Sequence, residues 1–278
     1  MVNLEEFLKK TFEEDIGSGD YSSLATVSAK KKAKAHLLVK ESGVIAGIQI
    51  AVSLCQVFDP RLEVKTRFAD GDVVEFGDIV FDVTGPARSI LAIERSLLNI
   101  MQRMSGIASK TRRMVETIKP TGCKLLDTRK TTPLNRLIEK EAVRIGGGHN
   151  HRWGLYDMIL IKDNHITACG GIPKAIKRTG QFLNQKKLNL PIEIEVKNLN
   201  ELEEVLYTGG IHRIMLDNFS PAQLEKAVKM INYAYESEAS GGIDENNILE
   251  YALTGVMYIS SGALTHSVHS LDLSLKIK

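Results

Sequence analysis

The chain has 278 residues, of which 43% are hydrophobic and 25% charged, and its formal net charge at pH 7 is +2. This composition is ordinary for a folded globular protein and excludes the disordered and fibrous classes. Because the chain is nearly neutral, it lacks the electrostatic signature of a protein that binds nucleic acid or an anionic membrane surface, so we expect small-molecule partners.

The cysteines and the first residues bear on the cellular compartment. Cys55, Cys123 and Cys169 are odd in number and widely spaced, which fits neither a disulfide framework nor a zinc ligand set. Residues 2–14 form an acidic amphipathic segment rather than a basic, apolar signal sequence, and no apolar run has the length of a membrane span. We therefore expect a cytoplasmic protein with no membrane segment.

The first third of the chain predicts a small, sheet-rich unit. A helix with Leu4, Phe7, Leu8 and Phe12 on one face comes first and ends in a turn at residues 16–20. Beyond that turn the hydrophobic pattern changes to the alternation of half-buried strands. The alternating segments are residues 33–39, 62–68 and, at the far end of the chain, 271–278, which we expect to return to the sheet of this unit.

A long helix predicted over residues 89–119 separates that unit from a β/α repeat. Six short apolar runs then end in polar or glycine residues: 124–130, 158–163, 192–196, 213–218, 235–242 and 256–262. Helical patterns lie between the later runs, at residues 172–182, 200–207, 220–234 and 245–252. This rhythm is typical of a parallel α/β barrel and also of a doubly wound open sheet.

The ends of these runs carry the candidate site residues, because the loops that follow parallel strands converge on one mouth. Residues 127–133 close the first run with Arg129 and Lys130, and guanidinium offers paired donors to carboxylate or phosphate. Gly146, Gly147 and Gly148 precede the cationic residues 150–152, and Lys162 ends an apolar strand. The pattern predicts an anion-binding mouth, with a solvated loop as the alternative.

Carboxylates and small residues end the later runs. Glu195 and Asp217 offer hard oxygens that could hold Mg²⁺ on a phosphate-bearing substrate or neutralise the nearby cations. Residues 240–243 and 260–264 are small and have accessible amides, as a phosphate site requires, although each could be a simple tight turn. A metal site made from His149, His151 and His165 has no compact ligand pattern to support it, so a hydrogen-bonding or cationic role is favoured for His151.

Taken together, these motifs resemble the quinolinate phosphoribosyltransferase family over essentially the whole chain. The matching segments are residues 14–20, 94–99, 105–108, 127–133, 146–152, 160–165, 215–218, 240–243 and 265–266. The resemblance implies an α/β fold with an N-terminal α/β sandwich domain at residues 1–106, joined by the returning strand 268–278. It also implies an incomplete, seven-stranded parallel α/β barrel at residues 107–267.

The reaction implied by the resemblance belongs to de novo NAD biosynthesis. Quinolinate and 5-phosphoribosyl 1-pyrophosphate would give nicotinate mononucleotide, pyrophosphate and carbon dioxide with Mg²⁺ as cofactor. The protein would be a homodimer with shared active sites, or a higher oligomer built from such dimers.

The resemblance also assigns roles to individual residues. Arg129, Arg152 and Lys162 would clamp the carboxylates of quinolinate, with Lys130 and His151 beside them. Further substrate contacts would come from Arg95 of a second subunit and from Ser240, Gly242, Ser261 and Gly262. Catalysis would fall to Lys130, Lys162, Glu195 and Asp217, of which Glu195 and Asp217 would serve Mg²⁺, directly or indirectly.

The sequence departs from the family pattern at three places. Leu134 and Asn135 stand where the family commonly has a glycine followed by an apolar residue, and His212 and Met257 each replace a common aspartate ahead of a strand. Two rival functions stay open. One is a paralogue of the family that acts in molybdenum uptake, and the other is a non-catalytic module that binds anionic metabolites.

Overall fold

The computed structural model describes residues 3–278, and the chain forms two compact units. Among the described residues, the first unit takes in those up to Arg112 together with Thr132–Gly147 and Ser267–Lys278. The second unit comprises Arg113–Thr131 and Gly148–His266. Residues 1 and 2 lie outside the described residues. They include the start of the predicted N-terminal domain, at residue 1, and the start of the acidic segment, at residue 2.

The structure contains the two helices predicted for this part of the chain, at residues 4–16 and 87–118, and three more that were not predicted. They are α1 (Leu4–Ile16), α2 (Tyr21–Thr26), α3 (Ile48–Phe58), most of α4 (Ala87–Ile118) and α5 (Arg136–Ile145). Asn3 caps α1 by accepting a hydrogen bond from the amide of Glu6, and Asp20 caps α2 through the amide of Ser23. These side chains satisfy amides that have no partner within the helix.

The sheet of the first unit is antiparallel. Its strands are β1 (Lys32–Val39), β3 (Glu63–Thr66), β5 (Ile79–Pro86) and β12 (Leu273–Ile277), in the order β12-β1-β5-β3, and a separate pair joins β2 (Gly43–Val44) to β4 (Val73–Val74). Ala35, Leu37 and Val39 alternate along β1 and are fully buried, so one face of the strand packs on the core. Leu37 pairs with Leu275, which places the last strand of the chain in this sheet.

The domain boundary predicted between residues 106 and 107 stays a prediction. Helix α5, which follows that boundary in the sequence, packs with the first unit. Glu139 on α5 is fully buried and lies 2.7 Å from the guanidinium of Arg103 on α4. At the end of α5, the carbonyl of Gly146 accepts a hydrogen bond from Arg112 at 3.2 Å. Residues 132–147, which the prediction placed with the barrel, are therefore tied to the first unit.

The second unit is built around a parallel sheet in the order β6-β11-β10-β9-β8-β7. Its strands are β6 (Lys124–Leu126), β7 (Ile159–Ile161), β8 (Ile192–Val196), β9 (Arg213–Asp217), β10 (Glu236–Ser240) and β11 (Tyr258–Ser260). The helices are α6 (Asp163–Cys169), α7 (Ile172–Lys186), α8 (Leu199–Thr208), α9 (Pro221–Ile231), α10 (Ile248–Ala252) and α11 (Ala263–His266). All neighbouring strands are parallel, so their C-terminal ends lie at one edge of the sheet.

The predicted α/β fold class is confirmed as an N-terminal sheet unit followed by a parallel sheet with intervening helices. The seventh strand of the expected barrel is reduced to an isolated bridge between His149 and Leu126. This bridge consists of the His149 amide on the carbonyl of Leu125 and the Asp127 amide on the carbonyl of His149. Within residues 3–278, no helix is both long and apolar enough to cross a membrane.

Candidate active site

A cavity of about 820 Å³ opens at the C-terminal ends of the strands of the second unit. The predicted site residues that line it are Arg129, Lys130, His151, Arg152, Lys162, Glu195, Asp217, Ser240, Gly242 and Gly262. They reach the same cavity from six strands because each stands near or just beyond a strand end, or in the loop that follows the bridge at His149. We call the charged side chains at the mouth, Arg129, Lys130, Arg152, Lys162, Glu195 and Asp217, the upper layer.

Lys162 and Glu195 form the tightest ion pair of the upper layer. The Nζ atom of Lys162 donates to Oε2 of Glu195 at 2.5 Å, and the carboxylate is nearly buried while the lysine is half-exposed. The backbone amide of Lys162 donates to Nδ1 of His165, which fixes the start of α6. A buried carboxylate that has a single cationic partner at the cavity wall can exchange that partner for another cation.

Asp217 lies next to this pair and its carboxylate is held from one side. The side-chain amide (Nδ2) of Asn218 donates to Oδ2 of Asp217 at 2.7 Å, and the backbone of Asn218 is in the left-handed region at φ 57°. Burial raises the pKa of Asp217, and the negative charge of Glu195 raises it further. The two carboxylates therefore repel each other, and a cation bound between them would relieve that repulsion.

Two guanidinium groups also line the cavity, those of Arg129 and Arg152. Burial lowers the pKa of Arg152, and the positive charge of Arg129 adds to that effect. Like charges held this close disfavour each other unless an anion lies between them. Arg129 and Arg152 thus form a preorganised site for a carboxylate or a phosphate.

Lys130 is held by α11 and by its own loop. The hydroxyl of Thr265 donates to the carbonyl of Lys130 at 2.8 Å, and the amide of Lys130 donates to the hydroxyl of Thr128 at 3.0 Å. The side chain of Lys130 passes directly over Gly262, where a Cβ atom would lie 2.8 Å from its Cδ atom. Gly262 therefore leaves the space in which the lysine stem lies.

The loop after β10 supplies small residues to the cavity. Gly241 and Gly242 have φ values of 104° and 62°, a conformation that favours glycine, and a Cβ atom on Gly241 would clash with the side chain of Asn218. Ser240 and Gly242 line the cavity. The backbone at this point can approach a ligand closely, as phosphate binding requires.

Two predicted site residues lie away from the cavity wall. Ser261 is buried, its hydroxyl donates to the carbonyl of Ile243 at 2.6 Å, and its amide donates to the carbonyl of Leu126. Both donors are used within the fold, so Ser261 shapes its loop rather than facing the cavity. Arg95 is exposed on α4 and is not among the residues that line the cavity.

A second set of charged residues, which the sequence analysis did not single out apart from His151, lies one step deeper along the strands. We call His151, Glu193, Arg213 and Glu238 the lower layer. Glu193 and Glu238 stand two residues before Glu195 and Ser240, on the same faces of β8 and β10, and both are fully buried. The period of two residues per strand was the signal that could have identified them.

The lower layer is held together by ionic contacts. Nε2 of His151 lies 3.0 Å from Oε2 of Glu193 and 3.3 Å from Oε2 of Glu238. Arg213 contacts Glu238 at 3.1 Å and the more exposed Glu236 at 2.9 Å. Only an edge of His151 reaches the cavity, since its side chain is 6% exposed.

Protonation in the lower layer follows from burial and charge. Burial lowers the pKa of His151, but Glu193 and Glu238 outweigh it and raise that pKa to about 9. Burial and the charge of Glu238 raise the pKa of Glu193 to about 7. Burial alone would raise the pKa of Glu238 as well, but contacts with His151 and Arg213 lower it, so Glu238 is the ionised carboxylate.

The three departures from the family pattern have structural consequences that are local. His212 takes the place of an aspartate by accepting a hydrogen bond from the amide of Ile192 at Nδ1, at 2.9 Å. The amide of Met257 donates to the hydroxyl of Ser237 at 3.1 Å. Leu134 is exposed and has a φ of 68°, which explains why glycine would suit that position.

Comparisons with known proteins agree with this arrangement. The profile described as Quinolinate phosphoribosyl transferase, N-terminal domain, matches residues 20–105, and the one described as the C-terminal domain of the same enzyme matches residues 107–276. The chain is 45% identical over 290 residues to quinolinate phosphoribosyltransferase 2b (decarboxylating, mitochondrial) of Nicotiana tabacum, which covers 99% of this chain and 82% of the relative.

A bacterial relative and a solved structure extend the likeness. The probable nicotinate-nucleotide pyrophosphorylase (carboxylating) of Bacillus subtilis strain 168 is 40% identical over 276 residues, covering 99% of this chain and 94% of the relative. The crystal structure of NadC from Streptococcus pyogenes has a TM-score of 0.93 and 41% identity, and covers 99% of this chain and 96% of that chain. The chain therefore belongs to the quinolinate phosphoribosyltransferase family.

Proposed function

We propose that the chain catalyses the decarboxylating transfer of a phosphoribosyl group to quinolinate, as the names of its relatives indicate for them. The co-substrate is 5-phosphoribosyl 1-pyrophosphate, and the products are nicotinate mononucleotide, pyrophosphate and carbon dioxide. The observation that carries the proposal is a single cavity at strand ends that brings four cations and two carboxylates together: Arg129, Lys130, Arg152, Lys162, Glu195 and Asp217.

The charge of this cavity suits the two substrates. Quinolinate is a dianion and the phosphoribosyl donor is heavily anionic, so each repels the other in water. The paired guanidinium groups of Arg129 and Arg152, with Lys162, offset that repulsion and clamp the two carboxylates. Lys130, which Gly262 and Thr265 hold in place, contributes a further cation beside them.

The carboxylates fit a divalent cation. Asp217 has a pKa raised by burial and by Glu195, which is the mutual repulsion that a bound cation removes. Hard carboxylate oxygens are ligands that Mg²⁺ prefers, often with a substrate phosphate completing its shell. Glu195 and Asp217 would hold Mg²⁺, directly or through water, and the ion would neutralise charge on the pyrophosphate group.

The chain's own residues act chiefly by positioning and by charge. The clamp orients quinolinate so that its ring nitrogen forms a bond to the ribose carbon while the bond from that carbon to pyrophosphate breaks. Cations around the cavity stabilise the negative charge that accumulates on pyrophosphate. Ser240, Gly242 and Gly262 line the part of the cavity where the 5-phosphate would bind.

Decarboxylation follows ribosylation because only the ribosylated ring can stabilise the negative charge that loss of carbon dioxide leaves. Once the nitrogen carries ribose it is cationic, so the electron pair left when the neighbouring carbon-carboxyl bond breaks is stabilised by that charge. A proton then replaces the carboxylate at the same carbon. No covalent bond to the protein is needed in either step.

The proposal includes a homodimer in which Arg95 enters the site of the partner subunit, or a larger assembly of such dimers. Arg95 is an exposed cation on α4, as this role requires. Subunit mixing tests the dimer. Arg95→Ala and Lys162→Ala proteins are each expected to be nearly inactive, and random mixed dimers should recover about a quarter of wild-type activity, because half are mixed and each of those has one intact site.

We further propose that the protein acts in the cytoplasm on small molecules, without nucleic acid or membrane partners. The free thiols of Cys55, Cys123 and Cys169 and the small net charge of +2 support this assignment. The Nicotiana tabacum relative is named as mitochondrial, so cell fractionation with an antibody to the chain is the deciding measurement.

One assay tests the activity itself. Purified protein, quinolinate, the phosphoribosyl donor and Mg²⁺ are expected to yield nicotinate mononucleotide, and chelation of the metal should abolish the product. Nicotinate accepted equally well in place of quinolinate would contradict the dicarboxylate clamp. No product from either acid would favour a binding module or a paralogue with another substrate.

A further inference from the structure

His151 connects the lower layer to the upper layer through its two ring nitrogens. Nε2 lies between the buried carboxylates of Glu193 and Glu238, at 3.0 and 3.3 Å. On the other side of the ring, Nδ1 accepts a hydrogen bond from the backbone amide of Arg152 at 2.7 Å. The backbone amide of His151 donates to the buried carboxylate of Asp127 at 2.9 Å, which fixes the chain at this point.

The hydrogen bond to Nδ1 determines the tautomer. A nitrogen that accepts a hydrogen bond carries no proton, so the ring proton is on Nε2, where it faces the two carboxylates. The carboxylates favour a second proton on the ring, which would have to bind at Nδ1. The Arg152 amide already donates to the Nδ1 lone pair, and the short distance of 2.7 Å favours the ring that is protonated at Nε2 only.

We propose that Glu193 and Glu238 are positioning residues that act through His151 on Arg152. By accepting from Nε2 they fix the orientation and tautomer of the ring, so that Nδ1 remains an acceptor for the Arg152 amide. This hydrogen bond sets where Arg152 leaves the backbone and therefore where its guanidinium meets the substrate carboxylate. The inference rests on the proposed function, because the group that Arg152 positions is a carboxylate of quinolinate.

Arg213 completes the arrangement by keeping Glu238 ionised. Its guanidinium contacts Glu238 at 3.1 Å, so the two carboxylates are not equivalent, and the ionised one is an obligatory acceptor for Nε2. The atoms of His151, Glu193 and Glu238 that could also ligate a metal lie within 4.8 Å of one another. Arg213 supplies positive charge at this cluster, which favours a proton-linked network over a second metal site.

The tautomer is directly measurable. Nitrogen-15 spectra of protein labelled in its seven histidines should show the His151 ring protonated at Nε2 only, with its signals identified by their loss in His151→Asn. In Glu193→Gln/Glu238→Gln protein no ionised acceptor faces Nε2, and each glutamine can present its amide as a donor. We expect the Nδ1-protonated form to appear in that double variant and, to a smaller extent, in Glu238→Gln.

Kinetics separate positioning from a general structural role. The double variant should raise the KM for quinolinate by about tenfold, and leave the KM for the phosphoribosyl donor within about twofold of wild type. Glu236→Gln is the matched control. Glu236 also pairs with Arg213, at 2.9 Å, but it does not contact His151, so both KM values and the tautomer should stay as in wild type.

Several results would overturn the inference. They are an Nδ1-protonated ring in the wild-type protein, an unchanged tautomer in the variants, or equal losses with both substrates. A stoichiometric metal that is lost in Glu238→Gln would assign the cluster to that metal instead. If the double variant fails to fold, the wild-type spectrum and Glu238→Gln still decide. Wild-type protein that shows no turnover contradicts the proposed function, whereas the tautomer is read without any turnover.

Discussion

Strand β8 carries two glutamates, two positions apart on one face, that lie in different environments. Glu195 belongs to the upper layer, where its partner Lys162 is 44% exposed and can be exchanged for a ligand. Glu193 belongs to the lower layer, is fully buried, and meets only other protein groups. The same strand therefore presents an exchangeable charge at the mouth and a fixed charge beneath it.

The difference lies in which charges are already neutralised. In the upper layer Arg129 lowers the pKa of Arg152, and Glu195 raises that of Asp217, so like charges are left close together. Such repulsion disfavours the empty site and would be relieved by the proposed substrate and cation. In the lower layer Arg213 and Glu238 compensate each other, and the network can hold its geometry without a ligand.

The largest effect should come from removing an upper-layer cation. Arg129→Ala leaves Arg152 and Lys162 to clamp the dicarboxylate alone, and we expect kcat/KM for quinolinate to fall by roughly a thousandfold, since charge-assisted contacts are lost in the transition state. Because Arg129 is exposed and relieves no buried charge, the melting temperature should stay the same or rise slightly. Arg144→Ala, which removes an exposed arginine that forms a salt bridge with Glu141, serves as the control for loss of a positive charge. A loss of less than tenfold would mean that the mouth does not clamp the substrate through Arg129.

The upper layer could be predicted from the sequence because apolar runs mark strands, and the polar residue after each run lies at the mouth. Lys162 and Asp217 were found in this way. The lower layer was missed because β8 alternates isoleucine and glutamate, which is typical of a strand with one solvated face, whereas all five of its residues are buried. Burial on both faces depends on the tertiary fold, so it cannot be predicted from the local sequence pattern.

Other differences also arise from contacts that are distant in sequence. The pairing of the last strand with β1 could be expected from its alternation, although its register, Leu37 with Leu275, could not. The position of α5 depends on the buried pair of Arg103 and Glu139, which are 36 residues apart. Similarly, the turn of Ser261 away from the cavity depends on the carbonyl of Ile243, which lies in a different loop.

A smaller effect should follow when an upper-layer cation is displaced rather than removed. Gly262→Ala would place a Cβ atom 2.8 Å from Cδ of Lys130 and 3.2 Å from Cδ2 of His266, so the flexible lysine must move. We expect kcat to fall by about tenfold, with a change in the free energy of unfolding below about 1 kcal/mol. Gly180→Ala on α7 is the matched control, since no atom of another described residue crowds its Cβ position within 4 Å. That substitution should leave activity unchanged and stabilise the protein by about 0.5–1 kcal/mol, through helix propensity. Equal losses in the two variants would show that Lys130 is not the group affected.

The smallest expected effect tests whether the lower layer is fixed by shared protons. Glu193 has a pKa raised from 4.5 to about 7, so the native state binds a proton that the unfolded state has released, and stability falls as pH rises through that window. Glu193→Gln replaces the protonated carboxyl with an amide that does not titrate. The free energy of unfolding of the variant, relative to that of wild type, should therefore rise by about 1–2 kcal/mol between about pH 5 and pH 8. Urea unfolding of both proteins across this range measures the gap, and Glu236→Gln, which lies outside the network around His151, should show none of this dependence. A gap that stays constant with pH would mean that Glu193 is ionised in the native state and that the lower layer holds its geometry by charge pairing alone.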